Sequence, residues 1–200
     1  MVRGSNGAIS KPAYDSIVVG SGASGSIVAA ALAAAGQSVL ILEAGPRREL
    51  AQLTSSQLFA RGLKWSGAPV EEEGNHTNGH GFNAGFGAGG SALHHYGVWP
   101  RLHSNDFDVL SKHGKNLDWP IGYEDLRPYY DAVQSDIGLS GDAEAEIWRP
   151  QGAPYPLPPL PVFRQGKVID RGFRAMGLST APIPMAINSI PNNGAPGCTY

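Results

Sequence analysis

Residues 14–46 read YDSIVVGSGASGSIVAAALAAAGQSVLILEAGP, and this stretch decides the fold class. Residues 15–20 form a short apolar run, which is typical of a strand buried on both faces. Residues 22–36 are rich in alanine and predict a helix that Gly36 ends. Residues 38–43 predict a second buried strand. A strand, a helix and a strand in so short a stretch form a βαβ unit with parallel strands.

The motif Gly20-Ser-Gly-Ala-Ser-Gly25 connects the first predicted strand to the helix. Its first glycine makes the tight turn, the second lets the backbone approach a pyrophosphate at the helix N-terminus, and the third lets the helix pack against the strand. Glu43 ends the second strand, where it would accept hydrogen bonds from an adenosine ribose and repel the 2′-phosphate of NADP. The predicted cofactor-binding residues of this region are Gly20, Ser21, Gly22, Ala23, Ser24, Gly25 and Glu43. They predict an ADP-containing dinucleotide, and FAD and NAD both stay open because they share the ADP half.

A second glycine-rich stretch, GFGAGGSALHHY, covers residues 85–96. Successive glycines let backbone N–H groups approach a planar or anionic ligand, and the two histidines and the tyrosine supply ring surface and proton-transfer groups. A surface loop that binds nothing has the same composition, so this alternative stays open at the level of composition.

At this point the chain resembles a known family, the glucose–methanol–choline (GMC) flavoprotein oxidoreductases. Residues 14–46 are similar to the amino-terminal signature of that family, and the Gly-Ala-Gly-Gly-Ser run at 87–91 is similar to its second flavin-contacting segment. The stretch DWPIGYEDL at 118–126, followed by YYD at 129–131, resembles a third recurrent segment. Within the family, the resemblance is nearest to the flavoprotein subunits of bacterial gluconate, sugar and polyol dehydrogenases.

The resemblance implies FAD as the cofactor and oxidation of the CH–OH group of an alcohol, sugar or polyol, with hydride transfer to flavin N5. It also implies that the flavin is lined by Gly89, Gly90, Ser91 and His94. Some family members bind the flavin covalently through a histidine at the position of His94, and others bind it without a bond. A small-molecule alcohol or sugar is then the substrate, and an electron-transfer subunit is a possible partner.

The family's catalytic base is a histidine near the carboxyl end, and no residue of this chain matches it. The resemblance therefore implies that the catalytic residues lie beyond Tyr200 and that the chain is an amino-terminal fragment that is inactive alone. Two alternatives stay open. The first is a protein without catalysis, either a dinucleotide-binding module or an inactive truncated product. The second is an NAD-dependent dehydrogenase.

The predicted fold class is α/β, a Rossmann-like FAD-binding βαβ domain with irregular, loop-rich insertions and the start of an α+β substrate domain, the whole being incomplete. The predicted divisions are a disordered head at 1–13, the amino-terminal part of the FAD-binding domain at 14–147, and a proline-rich connector with the start of the substrate domain at 148–200. Further predicted elements are helices at 104–113, 123–138 (with Pro128 at a helix start) and 168–176, and a proline-interrupted edge strand at 181–187.

Composition excludes several classes of protein. The chain carries 15 basic and 17 acidic side chains, so it lacks the positive charge of a nucleic-acid binder. Its single cysteine, Cys198, excludes an internal disulfide framework. The uncharged stretch 16–42 is broken by glycines and predicts no transmembrane segment. No metal site is predicted, since His76 and His80 lack a third ligand. Without a signal-peptide pattern we expect a cytoplasmic location for the chain as written, with periplasmic export by a signal-carrying partner as the alternative.

Overall fold

The computed structural model describes residues 13–52, 56, 58–59, 73–75 and 84–198. The chain divides into two compact units, Met1–His95 and Tyr96–Tyr200. All but the last residue of the predicted disordered head lies outside the described residues. The predicted boundary between residues 147 and 148, and the start of a substrate domain there, stay predictions.

The first unit contains the predicted βαβ arrangement. Strand β1 (Ser16–Val19) is followed by helix α1 (Ala23–Ala34) and strand β2 (Val39–Leu42). The two strands are parallel, with Ser16 opposite Val39 and Val19 opposite Leu42. The prediction of a strand, a helix and a parallel strand is confirmed.

Helix α1 ends as its sequence predicts. Gly36 adopts the left-handed conformation, with φ of +86°, which a residue with a side chain rarely adopts. Its N–H donates to the Ala33 carbonyl at 3.0 Å, and the N–H of Gln37 donates to the Leu32 carbonyl at 3.1 Å. These two bonds form a Schellman motif, which satisfies the last carbonyls of the helix.

Hydrogen bonds between Asp15 and Ser38, called here the Asp15–Ser38 clasp, join the amino ends of β1 and β2. The carboxylate Oδ2 of Asp15 accepts the N–H of Ser38 at 2.8 Å and its hydroxyl at 2.6 Å. This clasp fixes the register of the two strands at the end of the sheet opposite to the glycine loop.

Only one face of this sheet is covered among the described residues. The side chain of Val18 faces α1, lying 3.4 Å from the position that a Cβ of Gly25 would take. Ile17 and Val19 alternate with it, and they are 59% and 82% exposed. The prediction that β1 is buried on both faces is therefore wrong for the described part of the chain, because no described element packs on the second face.

The second unit contains three α-helices, among the residues that the structure describes. A 3₁₀ turn at Ser104–Asp106 precedes α2 (Val109–His113), so the predicted helix over 104–113 is interrupted at Phe107 and Asp108. Helix α3 spans Tyr123–Ile137 and α4 spans Arg164–Ala175. The predicted helices at 123–138 and 168–176 are thus present, and α4 begins four residues earlier than the pattern indicates.

Helix α3 contains Pro128 in its interior, which corrects the prediction that this proline starts a helix. Proline removes one N–H from the helix, so the carbonyl of Glu124 loses its helical donor. Both Glu124 and Pro128 are exposed, on the same side of the helix, so water can satisfy that carbonyl. The helix is therefore continuous through the proline.

A buried cation organises the core of the second unit. The guanidinium of Arg101 donates to the hydroxyl of Tyr123 at 3.0 Å, and to the side-chain oxygens of Asp131 and Gln134 at 2.6 Å each. Burial of a charge is tolerated only when its donors are satisfied in this way. The amide of Gln134 in turn donates to the carbonyl of Ala153 at 2.9 Å. The proline-rich segment is thereby held against α3.

The predicted strand at 181–187 is reduced to two isolated bridges. Met185 pairs with Val98 and with Ser140, both antiparallel. Pro182 and Pro184 lack the N–H groups that a ladder needs, so no strand forms over these described residues. Within the part of the chain that the structure describes, no helix has the length and apolarity needed to cross a bilayer.

Candidate dinucleotide site

The first glycine loop begins where β1 ends. Gly20 has φ of +91°, and its N–H donates to the Leu42 carbonyl at 2.7 Å, so the chain turns sharply beside β2. A Cβ on Gly25 would lie 2.2 Å from the carbonyl oxygen of Gly20. That distance is shorter than any van der Waals contact, so only glycine lets α1 begin this close to the strand.

Gly22 differs from Gly25 in what surrounds it. It has an ordinary φ of −65°, and a Cβ built on it would meet no atom of the described residues within 4 Å. Neither its neighbours nor its backbone conformation therefore requires glycine here. Gly22 is the N-cap of α1, which has no side-chain cap and no acidic residue in its first turn. Its open side leaves the N–H groups of that turn, which carry partial positive charge, accessible to an anion.

Glu43 follows β2 and lies half-buried beside this loop. Its Oε2 accepts the N–H of Ser21 at 2.9 Å and the hydroxyl of Ser21 at 2.7 Å, and its Oε1 accepts the N–H of Gly45 at 2.9 Å. Hydrogen bonds from the N–H of Gly45, and then from the N–H and hydroxyl of Ser21, lower the pKa of Glu43. The carboxylate is therefore ionised at neutral pH.

The second glycine stretch packs directly on the first. The N–H of Gly89 donates to the carbonyl of Ser21 at 3.0 Å, and Gly89 forms a parallel bridge with Gly22. A Cβ on Gly90 would lie 3.2 Å from the Cα of Gly22. The glycines of the second stretch therefore permit two backbones to approach closely.

The same stretch also contacts the turn after β2. The N–H of Ala88 donates to the Pro46 carbonyl at 3.1 Å, and a Cβ on Gly45 would lie 2.3 Å from the nitrogen of Gly87. The second glycine stretch is thus held on two sides, by the first glycine loop and by the turn that follows Glu43.

Ser91 and His94 lie in a short 3₁₀ helix, Gly90–His94. The hydroxyl of Ser91 accepts the N–H of Gly85 at 3.0 Å, so it closes the loop on itself. The Nδ1 atom of His94 is buried and has no hydrogen-bond partner among the described residues. A buried ring nitrogen without a partner is costly, so a hydrogen bond to this atom would be favourable.

A cavity of about 880 Å³ lies at the carboxyl ends of β1 and β2. Its size is within the range of cofactor pockets. Its lining residues come from both strands and from both glycine stretches: Val19, Gly20, Gly22, Leu40, Ile41, Leu42, Glu43, Ala44, Gly85, Phe86, Gly87 and Gly90. The carboxyl ends of parallel strands are where open α/β sheets bind their ligands.

The predicted site residues divide into three groups. Gly20, Gly22, Glu43 and Gly90 line the cavity. A second group supports it: Ser21, Gly25, Gly89 and Ser91 make the hydrogen bonds and close contacts described above. A third group lies beside it: Ala23 and Ser24 form the exposed first turn of α1, and His94 ends the 3₁₀ helix.

Sequence reasoning missed the apolar part of the lining. Phe86 lies between two recognised glycines, and Leu40, Ile41 and Leu42 form the predicted strand. The rule that ligands bind at the carboxyl ends of parallel strands could have identified the strand residues. His76 and His80 lie outside the described residues, and within the described ranges no cluster of potential metal ligands occurs.

The arrangement fits the ADP half of a dinucleotide. The open side of Gly22 at the N-cap of α1 suits a pyrophosphate, and the ionised carboxylate of Glu43 suits a ribose. The apolar strand residues and Phe86 supply a surface for a planar ring system. Residues 18–48 match the family described as NAD(P)-binding Rossmann-like domain. A dinucleotide cofactor follows from the geometry and from this match together.

Known proteins similar to this chain are flavoprotein oxidoreductases. The chain is 27% identical over 216 residues to the fructose dehydrogenase large subunit of Gluconobacter japonicus, covering 92% of this chain and 38% of the relative. It is 30% identical to the gluconate 2-dehydrogenase flavoprotein of Pantoea cypripedii, covering 64% of this chain and 26% of the relative. The chain spans about a third of the length of the curated relatives it matches.

A solved structure has the same fold over most of the chain. The pyridoxine 4-oxidase of Mesorbium loti matches with a TM-score of 0.58 and 21% identity, covering 87% of this chain and 36% of that one. The homologues that match most of this chain are GMC-type flavoprotein oxidoreductases. The resemblance seen in the sequence is therefore confirmed.

Proposed function

We propose that this chain, whose homologues are GMC-type flavoprotein oxidoreductases, is the FAD-binding part of an enzyme that oxidises the CH–OH group of an alcohol, sugar or polyol. The supporting observation is that one cavity is lined by Glu43 and by glycines from both glycine stretches. When bound, FAD supplies an acceptor for the substrate hydride at its N5 atom.

The residues of the first glycine loop would hold the ADP half. Gly22 leaves room for the pyrophosphate at the first turn of α1, where the N–H groups of Ala23 and Ser24 would donate to it. Glu43 would accept a hydrogen bond from the adenosine ribose. Its negative charge also opposes a 2′-phosphate, so NADP is disfavoured.

The residues of the second stretch would hold the flavin half. Gly90 brings this stretch against Gly22, and Gly89 is bonded to Ser21, so both halves of the cofactor would meet one continuous backbone surface. His94 has a buried Nδ1 atom without a partner in the described chain, which supports a contact with the flavin or a covalent bond to it. We assign no catalytic residue to the described part of the chain.

Partners are proposed on the names of two relatives. One is the large subunit of a fructose dehydrogenase and another is the flavoprotein of a gluconate 2-dehydrogenase. The word subunit in the first name supports a partner subunit, and we propose that this partner receives electrons from the protein. The substrate we propose is a small sugar or polyol, because relatives of this kind act on sugars.

The test is made on the protein produced from its natural gene. Its absorbance spectrum should show an oxidised flavin, and a panel of sugars and polyols should bleach that spectrum under anaerobic conditions. A protein that binds FAD or ADP but is bleached by no alcohol would support the alternative of a non-catalytic dinucleotide-binding module. A protein that binds NADH and no flavin would contradict the proposal.

Covalent attachment is tested by the intact mass of the denatured protein. An added mass of one FAD that disappears in His94→Ala, and persists in the control variant His113→Ala, would support attachment at His94. His113 is an exposed histidine of α2 and serves as a matched exchange. A wild-type mass equal to that of the polypeptide means that no FAD is attached covalently, and the absorbance spectrum of the native protein then decides whether FAD is bound.

A further inference from the structure

Ser21 connects three segments of the first unit through its polar atoms. Its N–H and its hydroxyl both donate to Oε2 of Glu43, at 2.9 and 2.7 Å. Its carbonyl accepts the N–H of Gly89 at 3.0 Å. The first glycine loop, the end of β2 and the second glycine stretch therefore meet at this one residue.

The hydroxyl of Ser21 donates its hydrogen bond to Glu43, and Ser21 does not line the cavity. Gly20 and Gly22, on either side of Ser21, line the cavity, and Ser21 is absent from its lining among the described residues. A ligand in the cavity would therefore meet the carboxylate of Glu43, and Ser21 would act on that ligand only through Glu43.

The carboxylate of Glu43 has a limited number of acceptor positions. Its two oxygens can accept about four hydrogen bonds in all. Oε2 already accepts two from Ser21, and Oε1 accepts one from Gly45. These three hydrogen bonds leave Oε1 with fewer donors than Oε2, so the orientation set by Ser21 determines which oxygen Glu43 offers to a ligand.

We infer that Ser21 is a positioning residue, whose hydroxyl orients the Glu43 carboxylate so that Oε1 is presented to the adenosine ribose of the cofactor. This inference rests on the proposed function, because it requires that the cavity bind the ADP half of a dinucleotide. The glycine motif does not require a serine at this position, because the backbone N–H of any residue could make the bond to Glu43 that the N–H of Ser21 makes. The hydroxyl bond is the contribution of the serine.

The opposite end of the sheet provides a natural comparison. There the carboxylate Oδ2 of Asp15 accepts the N–H and the hydroxyl of Ser38 at 2.8 and 2.6 Å, as Glu43 does with Ser21. Neither Asp15 nor Ser38 lines the cavity. Ser38→Ala thus removes the same kind of bond, together with the 3.2 Å bond that the Ser38 hydroxyl accepts from the N–H of Asp15, without touching the nucleotide site.

The hydrogen bonds of Glu43 also give a pH readout. The pKa of Glu43 is lowered by the N–H of Gly45, by the N–H and hydroxyl of Ser21 and by the N–H of Ala44, and is opposed by burial. No charged side chain of the described residues is among these causes. Loss of the Ser21 hydroxyl should therefore raise the pKa of Glu43, and the loss of ADP binding on acidification should begin at a higher pH.

The experiment measures ADP binding by calorimetry on the full chain after bound flavin has been removed, with His94→Ala added to every variant if the flavin proves covalent. We expect Ser21→Ala to weaken ADP binding about fivefold or more, which is the coupling typical of residues in direct contact. Ser38→Ala should change it less than about twofold. In the background of Glu43→Ala, which has no side-chain acceptor for the Ser21 hydroxyl, Ser21→Ala should have no further effect.

A second pair of variants separates the hydroxyl from the shape of the side chain. Ser21→Thr keeps the hydroxyl and Ser21→Val replaces it by a methyl group of similar size, so any steric strain is the same in both. We expect the threonine variant to bind ADP more tightly than the valine variant, and the acid limit of binding to lie at lower pH in the threonine variant.

The outcomes distinguish this inference from the proposed function. Wild-type protein that binds ADP, with Ser21→Ala and Ser38→Ala affecting binding equally or not at all, would overturn the inference and leave the proposed function standing. Equal binding by the threonine and valine variants would do the same. Wild-type protein that binds neither ADP nor FAD would overturn the proposed function and the inference together.

Discussion

The N–H of Gly89 donates to the carbonyl oxygen of Ser21 at 3.0 Å, and this bond joins two glycine motifs that are far apart in the sequence. The contact turns two separate sequence signals into one site, because a ligand held by the first motif also faces the second.

The two glycines of the first motif should have different roles. Gly25→Ala should destabilise the protein by about 2–3 kcal/mol, because the new methyl group would lie 2.2 Å from the carbonyl oxygen of Gly20. Gly22→Ala should change stability by less than about 1 kcal/mol, because no atom of the described residues lies within 4 Å of the added carbon. The same change should weaken ADP binding more than tenfold, because the methyl group would occupy the space of the pyrophosphate. Urea unfolding and calorimetry with ADP measure both effects. An equal loss of stability in the two variants would contradict this division of roles.

The charge of Glu43 should control both affinity and nucleotide choice. Glu43→Gln should weaken ADP binding by about tenfold or more, which is the value of a hydrogen bond to a charged group. The same change should narrow the preference for ADP over 2′,5′-ADP, because the repulsion of the 2′-phosphate disappears. Competition binding with the two nucleotides measures the ratio. Asp15→Asn, which alters the carboxylate at the opposite end of the sheet, is the control and should leave the ratio unchanged.

Arg101 should be essential for the stability of the second unit. Its side chain is 4% exposed and lies 2.6 Å from Asp131, so Arg101→Met would leave a partly buried carboxylate without its cation. We expect a loss of about 3 kcal/mol in the free energy of unfolding. The comparison is Arg174→Met, which breaks an exposed ion pair with Asp170 and should cost less than about 1 kcal/mol. Losses of similar size in the two variants would show that burial does not decide the effect.

Tyr155 should make stability depend on alkaline pH. Burial, and then the hydrogen bond that its hydroxyl donates to Glu146 at 2.8 Å, raises the pKa of Tyr155 to about 12. The neutral hydroxyl is thus favoured in the folded state, and its contribution is complete below the unfolded pKa of about 10 and is lost as the pH rises through about 12.

The measurement is the unfolding midpoint in urea between about pH 8 and about pH 11. The advantage of wild type over Tyr155→Phe should stay constant up to about pH 10 and shrink above it. Tyr129→Phe, which changes a tyrosine that is 68% exposed, should follow wild type at every pH. A constant difference between wild type and Tyr155→Phe would show that Tyr155 does not titrate as its surroundings indicate.

The local part of the fold was predictable from the sequence. The strand, helix and strand over residues 15–43 follow from short-range patterns, and Gly36 marks the end of the helix by its conformational freedom. The placement of the second glycine stretch was not predictable, because nothing in the order of residues 85–91 indicates that it packs against Ser21. The resemblance to a family suggested a common ligand but gave no contact between the two motifs.

The second unit shows why the remainder could not be predicted. Arg101, Asp131 and Gln134 are brought together by folding, and only the last two share a spacing that a helix pattern can detect. Gln134 is buried although it is polar, so a pattern that searches for apolar residues passes over it. The prediction for Pro128 was wrong because it used a local preference, namely that of proline for the first turn of a helix. The helix as a whole overrides that preference and continues through Pro128.

The βαβ unit can form before the site that it supports. The pairing of β1 with β2 and the Schellman motif of α1 depend on neighbours close in sequence, whereas the bond between Ser21 and Gly89 requires closure of a much longer loop. Long closures cost more chain entropy and slow the step that makes them. We expect the nucleotide cavity to be completed late in folding of the first unit. A cofactor that binds this cavity would therefore stabilise the folded state after the cavity has formed. A supply of cofactor during synthesis would then raise the yield of folded protein.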